Sequence, residues 1–280
     1  MITLESLSKG QQTRAPRMVI LGVEKIGKTS FACGCHFDET GALTETGLNA
    51  PVVIPCKGEE GTDSLDVTTF PTATTAEEVI ESIGALFNED HDFKTVVIDS
   101  ASALEPLVFD ATCRAHGVKS IEEVGGGYGK GYVESLRQWR DILSGLDALR
   151  AEKNMASILI GHVKVKRFDD PTGDSYDTYA WDINDKAASL IYRWADVILF
   201  ANTKAQVRKE EVGFKKEKKR AIDTTGGRRF LFTQKRPAHP GGGRGVYGRL
   251  PYELPLDWRH FENAIADAIY ITKTNKENDP

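Results

Sequence analysis

Six short apolar runs, bounded by polar or turn residues, frame this chain. They are Met18-Val19-Ile20-Leu21, Pro51-Val52-Val53-Ile54, Thr95-Val96-Val97-Ile98, Ser157-Ile158-Leu159-Ile160, Asp196-Val197-Ile198-Leu199-Phe200 and Arg229-Phe230-Leu231-Phe232. Several are rich in β-branched residues, and all read as strands. Between them the period lengthens. Residues 75–87 open Thr-Ala-Glu-Glu and put Val79, Ile80, Ile83 and Leu86 on one helical face. Residues 132–150 place Leu136, Trp139, Ile142, Leu143, Leu146 and Leu149 at helical spacing, a set that reads as core packing. Ser30-Phe31-Ala32-Cys33 is compatible with the first turns of another helix. Strands alternating with helices predict an α/β fold, a mostly parallel sheet with helices on both faces.

Residues 1–16 read as a short arm ending at Pro16, residues 17–272 as one domain, and the polar residues 273–280 as a fraying tail. Three stretches depart from the pattern: a glycine-crowded one at 125–131, a polar one at 164–185 and a charged one at 204–220. Loops of this length in a compact domain are functional or mobile, and all three are expected to be mobile. No internal repeat is present.

The first apolar run leads into Gly-Val-Glu-Lys-Ile-Gly-Lys-Thr at residues 22–29, a complete G-x-x-x-x-G-K-T motif between a strand and a helix start. The glycines let backbone N–H groups converge on a phosphate at a helix N-terminus. Gly22, Val23, Glu24, Lys25, Ile26, Gly27, Lys28, Thr29 and Ser30 are therefore the expected nucleotide-binding set. Lys28 is expected to reach the β- and γ-phosphates of ATP, and Thr29 to offer its hydroxyl to Mg²⁺.

About 70 residues later, Asp99 closes the run Thr95-Val96-Val97-Ile98. A carboxylate at the end of a buried strand is where a second nucleotide motif, Walker B, holds Mg²⁺. Hydrolysis also needs a group that orients or deprotonates water. Ile54-Pro55-Cys56-Lys57-Gly58-Glu59-Glu60-Gly61-Thr62 follows the second strand, and both Glu59 and Glu60 compete for that role. His162 stands just after the run 157–160, placed to sense a γ-phosphate.

Composition alters this picture in one respect. The chain of 280 residues is 40% hydrophobic and 28% charged, ordinary for a soluble domain. Its net charge of -5 does not itself announce a nucleic-acid binder. Residues 204–236, however, hold twelve Lys and Arg against four Asp and Glu, an excess of +8 that leaves about -13 on the remainder. Such asymmetry suits a phosphate track, with Lys215, Lys216, Lys218 and Lys219 at its centre. Lys164, Lys166 and Arg167 mix with Tyr176, Tyr179 and Trp181 in a second stretch suited to single strands by charge and base stacking.

No apolar run approaches the roughly 18 residues of a membrane helix. The first residues carry no secretory pattern, so a cytoplasmic location is expected. Four cysteines do not make a disulfide framework in a chain this long. Cys33, Cys35 and His36 form a C-x-C-H cluster, but Cys56 and Cys113 stand alone rather than as a second ligand pair, so packing is favoured over zinc.

Residues 22–29, Glu60-Gly61-Thr62 and Ile98-Asp99-Ser100 followed by Ala101-Ser102-Ala103-Leu104 resemble the ATPase core of RecA and Rad51 recombinases. The finer resemblance is to phage-encoded RecA-like P-loop ATPases, the group that includes Sak-type single-strand annealing proteins. Tyr128-Gly129-Lys130-Gly131-Tyr132, Ile160-Gly161-His162, and Lys235-Arg236 followed by Tyr247-Gly248-Arg249-Leu250-Pro251 and Leu254-Pro255-Leu256 carry it further. The resemblance implies a RecA-like P-loop NTPase core. It implies Glu60 as the water-activating carboxylate, His162 in the place of the γ-phosphate sensor, and Lys235 and Arg236 as cations reaching a neighbour's ATP. It also implies a homo-oligomer, ring or filament, in a bacterial host cytoplasm, with a single-stranded DNA-binding protein as a candidate partner. The expected function is Mg²⁺-dependent ATP hydrolysis on single-stranded DNA in phage homologous recombination, by annealing or strand pairing. A RecA-type helicase or replication motor, and a nucleotide-gated DNA-binding module with little turnover, stay open beside it. Residues 37–50 and the glycine-rich 237–245 are insertions against the family pattern, and Cys56-Lys57-Gly58-Glu59 alters the approach to Glu60.

Overall fold

The computed structural model describes residues 14–171, 173–211, 217–223 and 225–277. In chain order, β1 (Arg17–Gly22) leads through the phosphate loop into α1 (Lys28–Ala32). A small hairpin, β2 (His36–Phe37) and β3 (Leu43–Glu45), precedes β4 (Pro51–Pro55) and β5 (Thr68–Thr69). Then come α2 (Ala76–Asn88), β6 (Thr95–Asp99), α3 (Ala101–His116), α4 (Gly131–Glu134) and α5 (Leu136–Glu152). The chain continues with β7 (Ala156–Phe168), β8 (Tyr176–Trp181), α6 (Asp185–Trp194) and β9 (Val197–Thr203). It ends with the hairpin β10 (Ala205–Glu211) and β11 (Glu217–Asp223), then β12 (Arg229–Phe232), β13 (Gly242–Gly243), β14 (Glu253–Pro255) and α7 (Trp258–Glu277).

The main sheet runs β14-β12-β9-β1-β7-β6-β4-β5. From β9 to β5 every pairing is parallel, while β12, β13 and β14 add antiparallel strands at one side. Alternate residues of the central strands enter two cores. Val19, Leu21, Val96 and Ile98 pack beneath α2, α3, α5 and α6; Met18, Ile20, Val97 and Ile158 pack beneath α1 and α7. The predicted α/β class, mostly parallel with helices on both faces, is the architecture observed, and all six apolar runs are strands. Trp139 of α5 is fully buried in the first core, where truncation to alanine costs about 3–5 kcal/mol.

Helix α2 begins where its sequence signature says. Thr75 caps it, accepting from the Glu78 N–H, and Glu78 reaches back to the Thr75 N–H, a complete capping box. The helix expected at 132–150 is broken at Ser135 into α4 and α5. The helix after the phosphate loop has only five residues, because the chain turns left-handed at Gly34.

Two stretches read as loops are ribbons instead. β7 leaves the sheet after Val163 and continues to Phe168, pairing antiparallel with β8. Residues 164–168 are exposed, so their polar composition reflects solvent on the ribbon rather than lack of a strand. Residues 204–220 are largely the β10–β11 hairpin, with 212–216 outside the described residues. In the glycine-rich stretch, Gly125, Gly126, Gly127, Tyr128 and Gly129 all have positive φ, and α4 starts at Gly131. α7 extends to Glu277, past the expected domain end at residue 272, and 278–280 lie outside the described residues. Of the N-terminal arm, residues 1–13 likewise lie outside them. Among the described residues no helix is long and apolar enough to cross a membrane.

Candidate active site

In parallel sheets, chemistry gathers at the carboxyl ends of the strands. Gly22 at the end of β1 lies in register with His162 on β7, and Asp99 ends β6 opposite Pro55 of β4. The strand order brings the phosphate loop, Asp99, His162 and the segment after β4 to one edge. Lys25 and Gly27 turn the loop through positive φ (57° and 107°), and Gly27 caps α1. Such a φ is strained for lysine and easy for glycine.

Lys28 is 4% exposed and donates through Nζ to the carbonyls of Gly22 (3.0 Å) and Val23 (2.8 Å). Burial lowers its pKa, opposed by the charges of Asp99, Glu59 and Glu24. Thr29 donates Oγ1–H to Asp99 Oδ2 at 2.8 Å. Burial pushes Asp99 up to about 6, against the Thr29 hydrogen bond. A hydroxyl and a carboxylate brought this close are the hard oxygen donors that Mg²⁺ takes, beside a buried cation suited to phosphate. The residues therefore fit ATP and Mg²⁺. Gly61 explains part of the Glu-Gly-Thr pattern: a Cβ there would lie 2.5 Å from Thr29 Oγ1, so the backbone passes Thr29 with no room for a side chain.

The carboxylate that joins this edge is Glu59. Its Oε1 accepts from Ser100 Oγ (2.6 Å) and lies 2.8 Å from His162 Nε2. Burial alone would raise its pKa, but hydrogen bonds from His162 and Ser100 and the charge of Lys28 hold it below the usual range. Glu60, the residue the resemblance favoured, is exposed and makes none of these bonds. The difference in placement has a simple cause. Glu59 and Glu60 are adjacent in a turn, and the turn aims only the first inward. His162 is where expected, with Nδ1 3.5 Å from Lys28 Nζ. Its N–H donates to Ser102 Oγ (3.0 Å), which also accepts from the Trp181 indole N–H (3.2 Å).

Other expected site residues lie elsewhere. Lys235 and Arg236 are exposed, and the Arg236 guanidinium lies 4.2 Å over the Tyr252 ring. Among the described residues, neither is bonded to the phosphate loop of its own chain. Lys164, Lys166 and Arg167 sit on the β7 ribbon, each opposite an acid: Asp182 (3.0 Å), Asp185 (2.7 Å) and Asp169 (3.9 Å). Such exposed pairs contribute little to stability. Lys215 and Lys216 lie outside the described residues; Lys218 and Lys219 lie on β11 opposite Glu210 and Lys209. Cys33 and Cys35 are buried, their thiols raised by burial to about 12 and about 11, as packing residues would be. His36 pairs with Asp257, whose other oxygen caps α7 and meets His260.

Arg229 carried no functional signal in the sequence beyond starting a strand. It donates to the Ile26 carbonyl (3.3 Å) and crowds Gly27, bracing the phosphate loop from β12. Only the sheet order makes these residues neighbours. Ser100 and Ser102 were missed as site groups for the same reason, and Trp181, read only as a base-stacking candidate, meets Ser102 instead.

Residues 14–245 match the AAA_24 family, described as an AAA domain. Among curated proteins no relative matches. A solved structure titled as the RadB recombinase is similar over 81% of this chain and 85% of that chain, at 16% identity and a TM-score of 0.40.

Proposed function

The chain belongs to the AAA-domain family, and from that premise we propose that it is an Mg²⁺-dependent ATPase acting on single-stranded DNA in phage homologous recombination, by annealing or strand pairing. The observation that carries the ATPase reading is the convergence of Lys28, Thr29, Asp99 and Glu59 at one sheet edge. The DNA and recombination part rests on the RecA-type motifs in the sequence and on the basic ribbons beside this edge.

Lys28 would leave the carbonyls of Gly22 and Val23 for the β- and γ-phosphates, and the backbone N–H groups of the loop would cradle them. Thr29 and Asp99 would hold Mg²⁺, which would supply positive charge to offset that of the phosphates. Glu59 would accept a proton from the attacking water, its carboxylate kept ionised by Ser100 and Lys28. His162, bonded to Glu59 and close to Lys28, is the group that registers a γ-phosphate between them.

A steady-state ATPase assay with and without single-stranded DNA tests the reading. Turnover that requires Mg²⁺ and rises with DNA supports it. Hydrolysis indifferent to DNA would sink the DNA part and leave the ATPase. Annealing that proceeds without nucleotide would favour the low-turnover binding module, and unwinding of a tailed duplex would favour the helicase.

A further inference from the structure

Next to the nucleotide edge, β8, α6 and the turn after β12 enclose a cleft of about 490 Å³. One wall is aromatic. Phe168 and Tyr176 pair across the ribbon at 5.3 Å, and Trp181 and Tyr192 pair at 5.5 Å. The opposite wall carries Lys235 and Arg236, and Arg193 of α6 adds a third cation. Asp185 is the acid that lines the cleft, and Lys166 already neutralises it at 2.7 Å.

The cleft is preformed. The Tyr179 N–H donates to the Ala238 carbonyl at 2.8 Å, tying its two walls together. His239 lies flat on Phe200 at 4.7 Å and 8°, filling the base with stacked rings. Arg236 is held over Tyr252. Yet Phe168 is still 44% exposed and Arg193 is open to solvent. An exposed Phe168 ring and partly buried Tyr176 and Tyr192, beside cations with no acid partner among the described residues, match a ligand with a planar π-face and an attached phosphate.

We propose that this cleft holds one base-and-phosphate unit of single-stranded DNA, the base against Phe168, Tyr176 and Tyr192 and the phosphate on Arg193, Lys235 and Arg236. The proposal rests on the single-strand reading above and names its contact site. ATP bound to a neighbouring subunit offers the same base-and-phosphate chemistry. Continuity with the β7 ribbon favours DNA, since strand alternation puts Lys164 and Lys166 on the same face as the cleft-lining Phe168, with Arg167 on the other.

The test compares a fluorescein-labelled oligo(dT) with an abasic oligomer of equal length, by anisotropy on the full chain. Wild-type protein should prefer the base-containing strand by at least about five-fold. The Phe168→Ala, Tyr176→Ala double variant should lose that preference but keep its salt dependence, and Phe168→Tyr, Tyr176→Phe should restore it. Arg193→Ala should instead lower the salt slope by about 0.7 for both oligomers. Because Arg193 is exposed, that variant stays informative if the aromatic double variant misfolds. A double variant that folds and keeps the full preference overturns the cleft while the DNA reading stands. A wild type that binds neither oligomer overturns both. A double variant that keeps the preference but loses ATP-driven self-association assigns the cleft to the neighbour's ATP instead.

Discussion

Glu59 and Glu60 are the same residue type, one position apart, and their surroundings separate them. Glu59 shares hydrogen bonds with Ser100 and His162, while Glu60 faces solvent. Glu59→Gln is expected to bind ATP normally and to lower kcat by roughly 10²-fold or more, with Glu60→Gln close to wild type. Single-turnover hydrolysis separates the two, and a slow Glu60→Gln beside a normal Glu59→Gln would reverse the assignment. Lys28→Ala should abolish nucleotide binding, read by a fluorescent ATP analogue, because among the described residues no other cation is buried at that edge. Glu105 offers a pH test. Burial raises its pKa to about 7 against the hydrogen bond from the Asn184 N–H, with Lys164 lowering it and Asp182 raising it. The folded protein therefore binds this proton more tightly than the unfolded chain. The stabilisation is present below the unfolded value of about 4.5 and is lost as pH rises through about 7. Thermal melts at pH 5 and pH 8 should show a smaller difference for Glu105→Gln than for wild type.

At the scale of elements, short-range and long-range causes part company. The capping box of α2 is local, and Thr75→Ala should cost about 1 kcal/mol, read as a lowered urea midpoint at unchanged slope. Gly161 answers to distant chain. A Cβ there would run into the Trp181 indole and Leu21. Gly161→Ala is expected to destabilise by about 1–3 kcal/mol and to shift Trp181 away from Ser102, visible as a changed tryptophan emission. A variant with wild-type stability and emission would show that the strand and β8 separate freely. The β7–β8 ribbon belongs at this scale too. Its cross-strand pairing makes a strand of residues whose polarity suggested a loop.

Across the whole molecule, the basic run and the pair Lys235 and Arg236 carry the predictions for charge and assembly. Replacing Lys215, Lys216, Lys218 and Lys219 together should weaken single-strand binding and flatten its salt dependence. An unchanged slope would make that run a solvated face. Lys235 and Arg236 have two competing jobs, a neighbour's ATP or DNA in the cleft. Mixing a Lys235→Ala, Arg236→Ala protein with Glu59→Gln decides between them. With both cations on DNA, the double variant keeps the basal hydrolysis of its own intact site and mixing adds nothing to it. Activity recovered at mixed interfaces would move them to a site shared between subunits.

The chain's own pattern determined the strands, the α2 cap, the phosphate loop and Asp99, because each depends on residues within a few positions of one another. A strand needs its apolar run, a cap needs Thr75 and Glu78, and the loop needs glycines and Lys28 at fixed spacing. Tertiary structure decided what no local pattern encodes. Which of Glu59 and Glu60 meets His162, 103 residues away, depends on the orientation of a turn. Arg229 braces Ile26 across 203 residues, and Trp181 meets Ser102 across 79. These contacts exist because a parallel sheet places strands side by side in an order unlike that of the sequence, so the partners of each side chain are set by packing rather than by spacing.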